Sequence, residues 1–438
     1  MGAVQSASDY TLLPELLRRQ NYSTYALGKW DVGFIDDKCH PTRHANGGYD
    51  SWLGYYEACL QDYWAHTFGL GTTIACQDYG ASSVLKDLSN CTGSACVGVG
   101  AQLTGTYNAR VFTAEAMRLI RAHAAAASSR SLFLYLAYHN VHLACGASYG
   151  SGLHAPCSTV HSAAYERTAL DRFKLQGAML TELDYGVGNT TEELKRTGMW
   201  ENTVVAFTSD NGGPLNHGTN AGPLRPLRGG KWTFWEGGVN VACVLAGPAL
   251  RLPVARQGSV WPGLAHVSDF YSTLFVGVAG GDAATIVAGK SGPRDPDSIN
   301  LWPAILAGGA SPREEVVHQV NCSYFDEGVQ SMRWKNFKLI RSQITNGAGD
   351  ARIVSWPAPS PAPVVFGLSG GTVGEDPWPA GPERQDHCRS AIGKRAKGTI
   401  DCRPYCLFDL KADPSESHDL RCGTTALFLR SVLFWGLD

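Results

Sequence analysis

Apolar positions along the chain fall into two periods. Leu12, Leu13, Leu16 and Leu17 form a helical stripe, and residues 23–28 predict a short strand running into Gly28-Lys29-Trp30. Residues 110–125, rich in alanine with apolar spacing, predict a helix. So do residues 163–197, where Leu170, Phe173, Gly177, Leu180, Leu183 and Val187 recur at helical spacing. Three other runs, 131–138, 203–209 and 239–245, are apolar almost throughout and of strand length, the pattern of strands buried on both faces. Such strands alternating with long helices predict an α/β sheet that is largely parallel. Beyond about residue 310 the texture changes. Residues 334–340 and 405–410 alternate as half-exposed strands do, and the Pro/Ser/Gly-rich stretch 356–383 predicts an extended loop. The expected organisation is a core over residues 1–310 and a smaller domain with an antiparallel sheet over residues 311–438.

Composition narrows this picture. Fifty glycines in 438 residues exceed the average of about 7%, but they are scattered among aromatic and apolar runs, which excludes collagen-like and low-complexity chains. With Lys+Arg at 37 and Asp+Glu at 39, the chain has no electrostatic footprint for nucleic acid or an anionic membrane surface. No apolar run reaches about 18 residues, so no transmembrane helix is expected. The first apolar cluster is interrupted by Pro14, Glu15 and two arginines and does not read as a secretory signal. Thirteen cysteines, with Asn-x-Ser/Thr sequons at Asn21, Asn90, Asn189 and Asn321, nevertheless point to a secretory route. The close pairs Cys91/Cys96 and Cys402/Cys406 predict small loop-closing disulfides.

Ligands of open α/β sheets collect at the carboxyl ends of the strands. The predicted strands end there in Lys29 and Asp31, in His139 and His142, and in Asp210 and Asn211; Lys231 follows in Leu227-Arg-Gly-Gly-Lys-Trp-Thr-Phe-Trp-Glu-Gly-Gly238. A carboxylate beside an amide oxygen suits a hard cation, and two lysines with a histidine suit a tetrahedral oxyanion.

Gly28-Lys-Trp30, Leu134-Tyr-Leu-Ala-Tyr-His-Asn-Val-His142, Thr208-Ser-Asp-Asn-Gly-Gly213 and Leu227-Arg-Gly-Gly-Lys-Trp232 resemble the arylsulfatases in order and spacing. They are most similar to the arylsulfatase B (N-acetylgalactosamine-4-sulfatase) branch, and Cys406-Leu-Phe-Asp-Leu-Lys-Ala-Asp-Pro-Ser-Glu416 resembles that family's closing strand. The resemblance implies an alkaline-phosphatase-like α/β core with a smaller C-terminal domain. It also implies calcium-assisted hydrolysis of sulfate esters, sulfated sugars among them, and a lysosomal or extracellular location. Carried over by position, Asp210 and Asn211 match half of the calcium site. Lys29 and Lys231 match sulfate-binding lysines, and His142 matches the histidine that helps protonate the leaving oxygen. His139 falls where the branch has a non-catalytic polar residue.

Three departures bear on activity. The family histidine two residues after the first lysine is Asp31 here, a carboxylate that would repel a sulfate dianion. The paired aspartates and the Cys-x-Pro-Ser-Arg segment that precede Gly-Lys-Trp in the family have no counterpart in residues 1–27, where Asp9 stands alone. Cys39-His-Pro-Thr-Arg43 satisfies the motif literally but follows Gly-Lys-Trp, with no helix after it to aim a nucleophile. In the branch a cysteine at this place is a disulfide partner, so Cys39 reads as a decoy. The expectation is a sulfatase whose N-terminal part lies outside this chain, inactive as given for want of a nucleophile. The alternative is a catalytically dead relative that binds a sulfated glycan or a protein partner. The Lys-Trp motifs argue against a phosphoryl-transfer relative. Asp36-Asp37 reads as a solvated loop, Trp232 and Trp235 as packing residues, and His217 as a residue near substrate at most.

Overall fold

A computed structural model describes residues 11–31, 41–42, 48–56, 63–64, 88–93, 95–100, 102–142, 144, 153–166, 171–213, 226–231, 233–287, 297–319, 330–341 and 405–420. The chain forms two compact units, one of residues 1–206 with 245–312 and the other of residues 207–244 with 313–438.

The first unit is built on a five-stranded sheet. In chain order its strands are β1 (Tyr22–Lys29), β2 (Ser51–Tyr55), β3 (Leu88–Thr92), β4 (Ala95–Gly98) and β5 (Ser131–Ala137), arranged β4-β3-β2-β1-β5. β1 runs parallel to both β2 and β5, with Gly28 opposite Gly54 and Ala137. β3 and β4 continue the sheet antiparallel, so it is mixed. Helices cover both faces because the strand residues alternate. Leu27, Leu53 and Tyr55 pack with Phe112, Ala116 and Leu119 of α2 (Asn108–Ala125) and with Leu175 and Met179 of α4 (Asp171–Arg196). On the other face Phe133 and Tyr22 lie against Leu16 and Leu17 of α1 (Leu13–Arg19) and against Phe275. A single helical turn, α3 (Cys157–Val160), sits against α4.

None of the three strands expected to be buried on both faces is so buried. Among the described residues β5 is the edge of its sheet, and Tyr135 remains 49% exposed. β6 (Val205–Thr208) and β7 (Cys243–Ala246) pair as a separate ribbon, with Phe207 39% and Val244 54% exposed. Apolar composition states what a strand is able to bury; what covers it depends on neighbours distant in sequence. The third run also starts later than expected, because Glu236–Val239 forms a helical turn, α5, before the strand begins.

In the second unit β8 (Glu315–Gln319), β9 (Gln330–Trp334), β10 (Phe337–Arg341) and β11 (Cys406–Asp409) make an antiparallel sheet in the order β11-β10-β9-β8. Residues 334–340, expected as one strand, are the end of β9, a turn at Lys335–Asn336 and the start of β10, with Lys335 in the left-handed region at φ 51°. Trp235 packs edge-on to Phe408 beneath the Arg228 guanidinium, which makes it the packing residue expected. Cys91 and Cys96 form the predicted disulfide. Cys406 is also disulfide-bonded; its expected partner Cys402 lies outside the described residues, as does the loop 356–383.

Candidate active site

At the carboxyl end of β1 the backbone leaves the sheet through Gly28, whose φ of 98° no side-chain-bearing residue adopts comfortably. A Cβ there would stand 1.9 Å from the Ala137 carbonyl oxygen, so β1 and β5 approach closely just before Lys29. The Lys29 ammonium lies 3.1 Å from the Asp31 carboxylate in a half-exposed ion pair. Asp31, at φ 50°, is fixed by its N–H donating to the Tyr56 carbonyl. Asp31 therefore takes up the cation that the resemblance assigns to sulfate.

β5 delivers His139 and His142 to the same end of the sheet as Lys29, since the two strands are parallel. His139 is buried, edge-on to Tyr55 and Tyr63. Half-buried His142 meets its ring at 5.5 Å. Tyr63 donates to the carbonyls of both, at 3.1 Å and 2.5 Å, which fixes the loop that presents the His142 ring. Burial drives the Tyr63 phenol well above its ordinary range, so it remains a donor at every physiological pH.

Pro41 and Thr42 are the described residues of the Cys39–Arg43 segment, and they lie at the other end of the sheet. The Pro41 carbonyl accepts from Tyr49 N–H, and the Thr42 hydroxyl donates to the Gly93 carbonyl. Asp50 N–H in turn donates to the Thr24 carbonyl, five strand positions before Lys29, roughly 16 Å along β1. Cys39 itself is outside the described residues.

In the second unit three glycine-bearing segments interlock through their backbones. Gly212 N–H donates to the Gly238 carbonyl at 3.0 Å, Lys231 N–H to Gly213 at 2.9 Å and Gly237 N–H to Arg228 at 2.6 Å. A Cβ on Gly212 would stand 1.7 Å from the Gly237 carbonyl oxygen. The glycine in Asp210-Asn-Gly-Gly213 is thus required by a neighbouring backbone, and this contact joins the Asp210–Asn211 loop to the Lys231 loop. Asp210, exposed, accepts from Asn211 N–H at 2.8 Å, and the Asn211 amide donates to the Gly212 carbonyl. The pair offers oxygen ligands on one loop, whereas a hard cation takes about six to eight. Among the described residues no group of three His, Cys, Asp or Glu side chains is placed to hold a metal. Trp232 and His217 lie outside the described residues.

Sequence reasoning missed what stands behind these loops. Lys338 of β10 is fully buried, its ammonium 2.9 Å from Glu236 and 3.0 Å from Glu416. Glu416 accepts from the Glu236 N–H at 2.7 Å, and Arg333 reaches the other Glu236 oxygen at 3.3 Å. Burial pushes the Glu236 carboxyl up, but Lys338 and Arg333 outweigh it and hold that carboxyl below its ordinary value. Burial dominates at Glu416 and pushes its carboxyl up to about 7. The available signal was a lysine in an otherwise apolar run, Phe337-Lys-Leu-Ile340, beside a glutamate in Trp235-Glu-Gly-Gly238.

A sulfatase family model matches residues 1–278, a span that includes Lys29, His142, Asp210, Asn211 and Lys231. The chain belongs to the sulfatase family. Its relatives include mouse arylsulfatase J, 29% identical over 318 residues, covering 72% of this chain and 45% of that protein. Human arylsulfatase A is 30% identical over 300 residues, covering 67% and 45%. Dog N-acetylgalactosamine-6-sulfatase is 28% identical over 308 residues, covering 69% and 50%. The chain spans about half the length of the curated relatives it matches. Among solved structures, Ps i-CgsB in complex with k-i-k-neocarrahexaose superposes with a TM-score of 0.64 at 20% identity, covering 98% of this chain and 74% of that one. The fold is that of a sulfatase, with the mixed α/β sheet and the antiparallel sheet in separate units.

Proposed function

We propose that this sulfatase chain serves the hydrolysis of sulfate esters, with sulfated sugars as the substrate class. The observation that carries the reading is the backbone lock that presents Lys231 beside Asp210–Asn211 in a member of this family. In this reading Lys29 and Lys231 offset charge on the transferring sulfuryl group, as point charges that tolerate a rotating oxyanion. His142 protonates the departing ester oxygen. Calcium is the cation assigned to Asp210 and Asn211, although among the described residues no group of three His, Cys, Asp or Glu side chains is placed to hold a metal. The named relatives and neighbours that act on sulfated sugars support the substrate class, among them N-acetylgalactosamine-6-sulfatase and the BT4656 complex with D-glucosamine-2-N,6-O-disulfate. The Cys91–Cys96 disulfide supports an oxidising, secretory compartment. No described helix is long and apolar enough to cross a membrane.

One observation favours a second reading, a sulfated-glycan binder without turnover: Asp31 already occupies Lys29. Titration of inorganic sulfate by calorimetry, together with sulfate release from p-nitrophenyl sulfate after co-expression with a formylglycine-generating enzyme, tests both. Saturable sulfate binding that weakens about tenfold in Lys231→Ala is expected, because a charge-assisted bond to an anion is lost. Preference for phosphate over sulfate, or binding untouched in Lys231→Ala, would overturn the sulfatase reading. Turnover that disappears in Cys39→Ala would overturn the assignment of Cys39 as a decoy.

A further inference from the structure

Three segments far apart in sequence meet at a buried ion cluster that neither the sulfate-binding residues nor the cation loop accounts for. Lys338 on β10 bridges Glu236, the first residue of α5, and Glu416, in the turn after β11. Glu416 is a non-glycine residue at φ 50°, a conformation held only where the surroundings over-determine it. Its own N–H donates to the Asp413 carbonyl, and its carboxylate receives the Glu236 N–H. α5 is therefore fixed at both ends of its first residue, by backbone and by side chain. The loops bearing Asp210–Asn211 and Lys231 hang from that turn through the Gly212 to Gly238 and Gly237 to Arg228 hydrogen bonds.

We propose that Glu416 and Lys338 are positioning residues, which clamp α5 and thereby hold the Asp210–Asn211 and Lys231 loops in register with each other. The inference rests on the sulfatase reading only for what those loops bind, not for the clamp. The groups that face Glu416 are Lys338 from β10 and Glu236 from α5; Arg333 from β9 and His318 from β8 act on it through Glu236, and Asp413 lies in its own turn. Burial, with the neighbouring Glu236 carboxylate adding to it, raises the Glu416 carboxyl against the pull of Lys338, so the cluster holds best with Glu416 protonated. Ionisation of Glu416 loosens the clamp.

Hydrogen exchange read by mass spectrometry on the full chain, corrected for the intrinsic chemical rate, tests this at residues 209–213 and 226–241, with α2 as the control. In the unsubstituted chain, protection of these loops falls as pH rises through about 7 while α2 is unaffected. Glu416→Gln, which keeps the acceptor for the Glu236 N–H but not the titration, holds the acid-pH protection across the range. Glu416→Ala loses protection about tenfold in the loops at every pH, since a buried donor is left unmatched. Unchanged loop exchange in Glu416→Ala, or a pH slope retained in Glu416→Gln, overturns the proposal. Should Glu416→Ala unfold throughout, the Glu416→Gln profile decides alone. Sulfate is absent from these measurements. Sulfate titration of the same samples therefore reports separately on the functional reading, and failure to bind with an intact clamp pattern sinks that reading but not this one.

Discussion

At the scale of single residues, charge placement sets what the site is able to bind. Lys29 spends its charge on Asp31, and a half-exposed pair of this kind is worth up to about 1 kcal/mol. Asp31→Asn is accordingly expected to tighten sulfate binding by roughly threefold, and weaker or unchanged binding by calorimetry would show that Lys29 does not face the anion. The asparagines of the three described sequons are all exposed, but Asn21 donates its side-chain amide to the Ser129 carbonyl and its sequon Ser23 is buried in β1. Expression through a eukaryotic secretory pathway should add glycan at Asn90 and Asn189 and leave Asn21 bare; glycopeptide mapping checks this. The lysines proposed for the site and His142 could be singled out from the sequence because each sits inside a short motif. Lys338 was not, because alternation places a lysine of a half-exposed strand outward, and only two carboxylates brought from elsewhere make the inward register tolerable.

Between elements, polar contacts supplement the apolar layer. Arg110 of α2 grips the buried Glu182 of α4 through two hydrogen bonds of 2.8 Å and 2.7 Å, and the Thr159 hydroxyl donates to the same carboxylate at 2.5 Å. Glu182→Ala leaves Arg110 and Thr159 without that acceptor and should cost about 2 kcal/mol of unfolding free energy, read by urea denaturation. A smaller loss, below about 0.5 kcal/mol, would mean that α2 and α4 are held by their apolar faces alone. Gly28→Ala should be worse, because the new Cβ meets both a left-handed φ and the Ala137 carbonyl; loss of soluble protein or a drop of at least about 2 kcal/mol is expected. The helices α1, α2 and α4 and the strands β1 and β5 were legible from periodicity. β2, β3 and β4 were not, being short, interrupted by glycine or polar residues, and stabilised by pairing with chain far from them.

For the whole molecule the clearest consequence concerns pH. The Glu416 carboxyl is raised in the folded chain from an ordinary 4.5 to about 7, so the folded state binds that proton more tightly. Its contribution is fully present below about 4.5 and is lost as pH rises towards 7. Glu236 and Asp413, held below their ordinary values, act in the opposite sense and withdraw stability only at lower pH. Thermal unfolding followed from about pH 5 to about pH 8 should therefore show a midpoint falling by several degrees, and Glu416→Gln should abolish that slope. An unaltered slope in the variant would assign the effect to other groups. What the sequence by itself determined are features written within a few residues: the periods of the main helices and strands, the Cys91–Cys96 bridge, and the motifs that mark a sulfatase. Tertiary structure alone decided which apolar strands are covered and which carboxylates meet Lys338. Glu236 lies 102 residues from Lys338 and 180 from Glu416, and no local pattern records a meeting that the folded backbone brings about.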